Sequence, residues 1–357
     1  MSLGPHQPIA SLLLAAACAW SVAPLLHAQS GVAFGFGSSS FDQSTVPSNL
    51  GAVLTIDAGY AHSAAIRVGG AVACWGYNGA GQSVVPPGLA NATAIAAGGF
   101  HTVALHSSGA LTCWGSAAQG QCAPPTDIGS VVEVDAGGYH TIARRSNGSV
   151  VCFGYDLYGQ STLPANLGTA SGVAAGWHHS VARSPVGIVR CWGFNTSGQC
   201  NVPPNLLGVV GIAAGSWHTV AILSNGSIVC WGLNADGQCT PPKGLGAVTA
   251  VAAGAYHTLS LNAAGEVYCW GSNAHGQCTP PKTMGVVTAI AAGTDHSLTI
   301  GLALPCDADF DGDGTVNGGD LAMLLSAWGT AGKLCIDLSG NGSVGGEDLA
   351  ILLSEWG

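Results

Sequence analysis

One repeated interval limits what this chain can fold into more than any other feature. Histidine recurs along most of the sequence at the interval that separates His62 from His101, and tryptophan, glutamine and proline keep the same step. The repeated histidines are His62, His101, His140, His179, His218, His257 and His296. A fixed period of about 20–50 residues is typical of folds built by stacking one supersecondary unit. The repeat therefore indicates the architecture before any single residue is interpreted.

Each unit contains short segments in which apolar and polar residues alternate between glycine turns. In one copy the segment HTVAILS is followed by Asn225-Gly226 and then by SIVCWG. Alternation with a period of two predicts strands, and Asn-Gly predicts a hairpin of the primed-turn type. Three or four short antiparallel strands in each unit are typical of a propeller blade. Strands of about seven residues are too short for a transmembrane barrel, which needs about 9–11.

The number of units predicts a closed ring of seven blades. Seven histidine half-units are followed by only six half-units with CWG and GQ, and the missing half lies at the N-terminus, where Gln43 stands one repeat before Gln82. The seventh blade is therefore expected to be shared between residues 33–47 and 283–301. Pairing the first strand with the last would remove the exposed sheet edges. We predict an all-β, seven-bladed β-propeller over residues 29–304.

The distribution of charge separates the propeller from a different C-terminal part. Charged residues make up only 7% of the chain, with 8 Lys+Arg against 18 Asp+Glu. So few charges argue against disorder and coiled coil, and the scarcity of basic residues argues against a nucleic-acid partner. Nine of the acidic residues and one lysine lie after residue 304, so the C-terminal part alone has a charge of −8.

The first residues predict export. Residues 9–26 are uncharged and apolar, and Leu26 and Ala28 form a signal-peptidase site, so residues 1–28 are interpreted as a signal peptide. A membrane anchor is the alternative; Pro24, which interrupts the run, disfavours it, whereas the lack of Lys or Arg before the run is atypical of a signal peptide. The expected location is secreted or on the cell surface, without integration into the membrane.

Twelve cysteines remain after the signal peptide, which is an even number for an oxidising compartment. Local disulfides are favoured over a zinc site because no CxxC occurs. The predicted pairs are Cys113–Cys122, Cys191–Cys200, Cys230–Cys239, Cys269–Cys278 and Cys306–Cys335. Cys74 and Cys152 occupy the first position of the same pattern, but the second position holds Ser83 and Ser161, so no partner is predicted for these two cysteines.

Residues 305–357 contain two acidic loops, each followed by an apolar helix. The first loop, DFDGDGTVNGGD, has oxygen-bearing residues at the spacing of a calcium loop and glycine at its sixth position. The predicted calcium ligands are Asp309, Asp311, Asp313, the Thr315 carbonyl, Asn317 and Asp320 in the first loop, and Asp337, Ser339, Asn341, Ser343 and Asp348 in the weaker second loop. A solvated acidic linker is the alternative.

The duplicated unit of one calcium loop and one helix resembles the dockerin family. That resemblance implies a tail that tethers the protein to a cohesin-like or cell-surface partner. Dockerins commonly recognise cohesins through loop positions 10 and 11, which are Gly318-Gly319 and Gly346-Glu347 here, rather than hydroxyl residues. Surface anchoring or secretion is the alternative role for the tail.

The repeats themselves have known relatives. The motifs AAGxxHT and CWGxNxxGQ, which run through the predicted propeller, resemble the repeats of the regulator of chromosome condensation family. The short unit without insertions is similar to that of the β-lactamase inhibitory protein II type, which is also a seven-bladed propeller. The resemblance implies the fold and, for the inhibitory type, a protein partner bound on one propeller face. Exchange activity on a small GTPase is not expected of an exported acidic chain.

Aromatic residues at variable loop positions predict which face binds. The AAGxxH and WGxNxxGQ loops share one face, because alternate connections of an antiparallel blade lie on the same side. The candidate residues are Tyr60, Phe100, Tyr139, Trp177, Trp217 and Tyr256 in the first loop, and Tyr77, Tyr155, Tyr158 and Phe194 in the second. Large aromatics at loop tips suit interface hot spots. Packing against the neighbouring blade is the alternative.

Two functions remain open from the sequence. A residue that recurs once per blade serves the blade, so the histidines are expected to bond neighbouring backbone rather than to catalyse. No Gly-x-Ser-x-Gly, HExxH or P-loop motif occurs, and no catalytic residue is assigned. The first hypothesis is a non-enzymatic, protein-binding propeller of the scaffold or inhibitor kind, tethered by a calcium-dependent tail. The alternative is a carbohydrate-active enzyme or lectin that the tail delivers to an assembly.

Overall fold

The structure of this chain is a computed structural model that describes residues 31–302, 316–329, 338, 344–354 and 356. Within residues 31–302 the chain forms seven antiparallel sheets of three strands each. The seven-bladed propeller is therefore confirmed, with three strands per blade. The predicted signal peptide, the pair Cys306–Cys335 and most calcium ligands lie outside the described residues; those ligands are Asp309, Asp311, Asp313, Thr315, Asp337, Ser339, Asn341 and Ser343.

Each blade has an inner strand beside the axis, a middle strand and an outer strand. The inner strands of blades 1–7 are β2 (Val53–Ala58), β5 (Ala92–Ala97), β8 (Val131–Ala136), β11 (Gly172–Ala175), β14 (Val209–Ala214), β17 (Val248–Ala253) and β20 (Val287–Ala292). The middle strands are β3 (His62–Arg67), β6 (His101–His106), β9 (His140–Arg145), β12 (His179–Arg183), β15 (His218–Leu223), β18 (His257–Asn262) and β21 (His296–Gly301). The outer strands are β4 (Val72–Gly76), β7 (Leu111–Gly115), β10 (Val150–Gly154), β13 (Val189–Gly193), β16 (Ile228–Gly232), β19 (Val267–Gly271) and β1 (Val32–Gly37).

The ring closes through the first and last strands. The outer strand of blade 7 is β1, which pairs antiparallel with β21, and a short 3-10 helix (Lys282–Met284) precedes β20. The inner strand β20 also packs against β2 of blade 1, so no gap remains between the first and last blades. The predicted composition of the seventh blade is confirmed.

The repeated tryptophan and glutamine join each blade to the one before it. Trp231 is buried between blades 4 and 5, among Val189, Val209 and Ala221. Its Nε1–H donates to the backbone oxygen of Gln199 at 2.9 Å, which also accepts the Thr219 hydroxyl at 2.8 Å. A buried indole N–H needs such an acceptor. Contacts between blades thus explain why glutamine recurs at the same interval.

The hairpin turns differ from the predicted primed type. In the Asn225-Gly226 hairpin, Gly226 has φ of +79° while Asn225 is not left-handed. The Asn225 side chain accepts hydrogen bonds from the backbone N–H and the hydroxyl of Ser227, at 3.0 and 2.7 Å. These bonds hold Asn225 in the right-handed region, so glycine alone takes the positive φ that it tolerates.

Three of the four predicted disulfides within the propeller are formed, namely Cys113–Cys122, Cys230–Cys239 and Cys269–Cys278. The fourth prediction needs correction, because Cys191 and Cys200 are thiols whose sulfur atoms lie 3.0 Å apart. Each thiol finds a backbone acceptor in the loop, since Cys191 donates to the Gln199 oxygen and Cys200 to the Phe194 oxygen. Cys74 and Cys152, whose state the sequence left open, are also free.

The C-terminal part contains the two predicted helices, α1 (Gly318–Ser326) and α2 (Gly346–Ser354). Leu324 and Leu352 are fully buried against Val316 and Val344, in a small core of their own. The step along the chain from Val316 to Val344 equals the step from Leu324 to Leu352, so the core is built from equivalent positions of the duplication. The helices confirm a small helical module after the propeller.

Candidate partner-binding face

The seven repeated histidines form a closed ring of hydrogen bonds inside the propeller. The Nε2 atom of His62 lies 2.9 Å from the hydroxyl of Thr102 in the next blade, and His296 closes the ring on Ser63 at 3.0 Å. Thr102 donates its own proton to the Gln82 oxygen at 2.9 Å, so its hydroxyl oxygen accepts from His62 Nε2–H. The histidines are structural, as expected, but they join neighbouring blades through hydroxyl groups instead of bonding the predicted backbone.

Burial keeps the histidines of this ring neutral. All seven are fully buried, and desolvation lowers the pKa to about 4 for His62 and His218 and to about 3 for the other five. Each Nδ1 atom is buried without a hydrogen-bond partner. A proton on Nδ1 would leave a buried, unpaired charge, which is costly. These histidines support the fold and are poorly suited to proton transfer at neutral pH.

Three carboxyl groups of the inner strands are also withdrawn from solvent: Glu133 is buried, and Asp57 and Asp135 are half-buried. Asp57 accepts a hydrogen bond from the backbone N–H of Ala97 in the next blade at 2.7 Å, and Asp135 does the same with Ala175 at 2.9 Å. Burial raises the pKa of Asp57 to about 8 and that of Asp135 to about 6. Glu133 forms an ion pair with Arg144 at 2.6 Å, and burial raises its pKa to about 7. Each of these side chains contacts a neighbouring strand.

The loops that precede the repeated histidines and those that follow the CWG motifs do share one face. Rings of the two loop types contact each other there, as between Tyr77 and Phe100 with centroids 6.4 Å apart. The connected rings run from blade 7 across the ring closure through blades 1 to 5. We call them the aromatic belt. Its members are Phe41, Tyr60, Tyr77, Phe100, Tyr139, Tyr155, Tyr158, Trp177, His178, Phe194 and Trp217.

Two rings of the belt meet above the propeller axis. Tyr60 of blade 1 and Trp177 of blade 4 have centroids 5.5 Å apart, although blades 2 and 3 lie between them in sequence. Their position, directly after the AAG motif, is glycine in blades 2 and 3. A Cβ atom on Gly138 would lie 2.8 Å from the Trp177 ring. Gly138 thus makes room for the indole.

Most of the predicted partner-binding residues are brought together in this belt. Tyr60, Phe100, Tyr139, Trp177, Trp217, Tyr77, Tyr155 and Phe194 are all members, at intermediate or full exposure. Tyr256 is 37% exposed on the same face, but it has no ring contact with another described aromatic residue. The rings contact one another and are partly exposed, so they form a continuous surface.

Two belt members escaped the sequence interpretation. His178 stands beside the repeated His179 and was hidden by it, although it occupies the same variable position as Tyr139 and Trp217. Phe41 belongs to the incomplete N-terminal unit and aligns with Tyr158 at three repeat steps. Aligning every variable loop position across all units, including the partial N-terminal unit, would have identified both.

The belt is almost uncharged. Burial lowers the pKa of His178, so its imidazole is neutral, and burial raises the pKa of Tyr139, so its hydroxyl keeps its proton. The described arginines lie at the C-terminal ends of middle strands or early in β13, at the opposite end of the blades. A neutral aromatic surface of this kind favours apolar and hydrogen-bonding contacts over ion pairs.

The described residues contain neither a metal-binding cluster nor a spanning helix. They hold no group of three or more His, Cys, Asp or Glu side chains that could bind a metal ion. Among the same residues, no helix has the length and apolar character needed to cross a membrane.

Seven blades joined by a buried histidine ring, with variable loops gathered on one face, define a repeat propeller with an aromatic loop face. The model of the regulator of chromosome condensation (RCC1) repeat matches residues 53–82, 92–121, 131–160, 171–199, 209–238 and 248–277, which together are half of the chain. The chain belongs to the RCC1 repeat family. No curated protein matches its sequence.

Solved propellers share this fold. Prp20p from Saccharomyces cerevisiae, described with its binding properties to Gsp1p and histones, is 16% identical, covers 84% of this chain and 94% of its own, and has a TM-score of 0.65. Human WBSCR16 is 18% identical, covers 77% and 99%, and has a TM-score of 0.63. The CRINKLY WD40 ectodomain of the receptor kinase ACR4 from Arabidopsis thaliana is 25% identical, covers 71% and 93%, and has a TM-score of 0.58.

Proposed function

We propose that this protein is a secreted, non-enzymatic propeller that binds a protein partner through the aromatic belt. The observation that carries the proposal is the belt itself, which places eleven contacting rings on one face at positions that vary between blades. Tyrosine and tryptophan combine a large apolar contact area with a polar group, and both are enriched where binding energy is concentrated. A scaffold or an inhibitor would use such a face.

The small number of charged groups at the belt limits which partners suit it. Asp156, beside the belt, has its carboxylate bonded to the backbone N–H groups of Ser161 and Thr162 at 2.7 and 3.0 Å and to the Thr162 hydroxyl at 2.6 Å. These hydrogen bonds leave Asp156 charged but hold its carboxylate within its own loop. A partner whose contact surface is neutral and partly apolar matches it best, because burying an unpaired charge is costly.

The test is capture of protein from the secretome of the source organism by the full chain. Two substitutions are compatible with the fold, because other blades carry small residues at the same position: Tyr60→Ser and Trp177→Ser match Ser216 of blade 5. We expect the double variant to lose the captured protein. Val186→Ser is the matched control, since Val186 is 74% exposed in a hairpin turn on the opposite face.

Two results would reject this function. Undiminished capture by the double variant would show that the belt is not the interface. Saturable binding of soluble plant oligosaccharides that is lost in the same variant would support the lectin alternative, and turnover of those sugars would support an enzyme.

We also propose that the C-terminal module binds calcium and tethers the propeller to a cohesin-like or cell-surface partner. The described ligand candidates bear oxygen atoms and lie at helix N-termini. Asp320 and Asp348 are fully buried, and their Oδ2 atoms accept the backbone N–H groups of Asn317 and Gly345 at 2.8 and 2.7 Å. Buried carboxylates of this kind suit a hard cation. Asn317, Asp320 and Asp348 would hold calcium together with the other predicted loop residues.

Calorimetric titration of the full chain with calcium tests the tether. We expect saturable binding, and Asp313→Ala should weaken it by about tenfold or more, because affinity depends on the number of charged ligands. Asp236→Ala removes an exposed propeller carboxylate and is the control. Absence of binding, or equal binding by Asp313→Ala, would reject calcium.

A further inference from the structure

One loop position determines whether a ring of the belt has an aromatic partner from the preceding blade. It lies two residues before each repeated glutamine, whose Oε1 atom accepts the backbone N–H of this position, as in Gln121 with Gln119 N at 2.8 Å. We call it the plug position. Its residues are Phe41, Ala80, Gln119, Tyr158, Ser197, Asp236 and His275.

Aromatic residues at the plug position pack in the same way in two blades. Phe41 contacts Tyr77 with centroids 4.9 Å apart and an interplanar angle of 64°. Tyr158 contacts Phe194 with centroids 4.7 Å apart and the same angle of 64°. In both pairs the second ring stands at the same offset along the chain, directly after the next CWG motif. The edge-to-face pair is therefore a recurrent element of the belt.

In a third blade the ring that would accept an aromatic plug residue is present, but the plug position itself holds no aromatic residue. We call the accepting position, directly after the next CWG motif, the receiving position. Tyr155 stands at that same offset after Gln119, where the repeat would place the partner of an aromatic plug. A cavity of about 360 Å³ lies there, lined by Gln119, Tyr139, Tyr155 and His178. Its size is at the lower end of the range for small-ligand sites. The cavity occupies the region where blades 7 and 3 carry a ring of their own.

The lining of the cavity is neutral and mostly aromatic. Three of the four lining side chains are rings, and the fourth is an amide. The Nδ1 atom of His178 is buried without a hydrogen-bond partner. A bare acceptor is less costly to bury than an unpaired N–H, so the proton belongs on Nε2. An occupant that packs against ring edges and faces fits this lining.

We propose that this cavity receives one aromatic side chain, tyrosine or phenylalanine, from the protein partner, seated edge-to-face on Tyr155 as Phe41 is on Tyr77. The inference rests on the proposed protein-binding function of the belt. A sugar would need an uncovered ring face to stack on, whereas the faces here are partly covered by neighbours, as in the Tyr155–Tyr158 pair at 75° and the Tyr139–Trp177 pair at 80°.

The test uses small probes and a plug taken from the repeat itself. The full chain is titrated with N-acetyl-L-tyrosinamide, and with methyl β-D-glucopyranoside as the sugar probe, and binding is followed by saturation-transfer NMR. We expect saturable binding of the tyrosine probe alone. Gln119→Phe should weaken it by about tenfold or more, because the new ring fills the cavity as Phe41 fills its own place.

A matched control places the same ring elsewhere. Ser197 occupies the plug position of blade 4, and the residue at the receiving offset is Leu233, so Ser197→Phe adds a ring outside the cavity. Probe binding should be unchanged in this variant. Equal binding by wild type and Gln119→Phe, binding of the sugar probe in the cavity, or no saturable binding of the tyrosine probe would each overturn the proposal.

Failure of the subsite and failure of the proposed function can be told apart. Suppose that Gln119→Phe still captures the secretome partner as well as wild type does, while the Tyr60→Ser, Trp177→Ser variant does not. The belt would then be the interface, and the cavity inference would be wrong. If neither variant affects capture, the proposed function itself fails.

Discussion

Trp217 and His218 are adjacent in sequence but belong to two different parts of this molecule. His218 is fully buried and bonds Thr258 of the next blade at 2.9 Å, as its equivalents do in every blade. Trp217 is partly exposed in the belt and contacts Phe194, with centroids 5.7 Å apart. Residues that recur in every blade hold blades together, whereas residues that change between blades lie where a partner can reach them. In this fold, the repeated residues form the contacts between blades and the variable residues form the exposed loop face.

The largest expected effect is a loss of folding stability in acid, caused by the buried histidine ring. Burial lowers the pKa of the seven ring histidines from 6.5 to about 3 or 4, so they stay neutral in the folded state while the unfolded chain binds protons below pH 6.5. Stability is then complete above pH 6.5 and is lost as the pH falls toward 4. The carboxyl groups of Asp57, Glu133 and Asp135, with raised pKa values, oppose part of this effect. The net loss is roughly 5 kcal/mol per pH unit near pH 5.

Denaturant unfolding at pH 7, 6 and 5 measures this loss. His218→Gln should reduce the proton uptake on unfolding by about one proton. A free energy of unfolding that stays constant from pH 7 to pH 5 would contradict the buried, neutral ring.

Two tryptophans separate stability from binding. Trp231→Ala removes a ring buried between blades and should lower the free energy of unfolding by about 3–5 kcal/mol. Trp217→Ala removes a belt ring and should weaken partner binding by about 1–3 kcal/mol with little loss of stability. Thermal melting and partner titration of both variants give the comparison. If Trp217→Ala melts as early as Trp231→Ala, the belt belongs to the core.

A disulfide can be added to a blade that lacks one. Cys74 is free, and its partner position holds Ser83, whose hydroxyl donates to the Tyr77 oxygen at 2.9 Å. Ser83→Cys should form the bond seen in Cys113–Cys122 and stabilise the protein by roughly 2–3 kcal/mol in the chain-entropy model. Ser83→Ala controls for loss of the hydroxyl. Non-reducing peptide mapping should find the new pair, and its absence would show that blade 1 positions these residues differently.

Sequence reasoning predicted most of the fold and part of the face. The step between His62 and His101 predicted the blades, and the step between Gln43 and Gln82 predicted the shared seventh blade. The hydrogen-bond partner of the histidines was not predictable, because the Thr102 hydroxyl approaches His62 only when two blades are stacked. The turn at Asn225 was also missed, since its Asx bonds with Ser227 override the usual preference of Asn-Gly pairs.

The number of blades and the closure of the ring were determined by the sequence alone. The repeated histidine, tryptophan and glutamine contact the equivalent part of an adjacent blade, so the period itself specifies those contacts. The tertiary structure decided which variable residues come together in the aromatic belt. Tyr60 meets Trp177 because the ring curves and because Gly138 leaves space for the indole, and the cavity at Gln119 exists because one plug ring is missing beside Tyr155. Contacts across a ring depend on curvature and on the sizes of several side chains together, and a one-dimensional period contains neither.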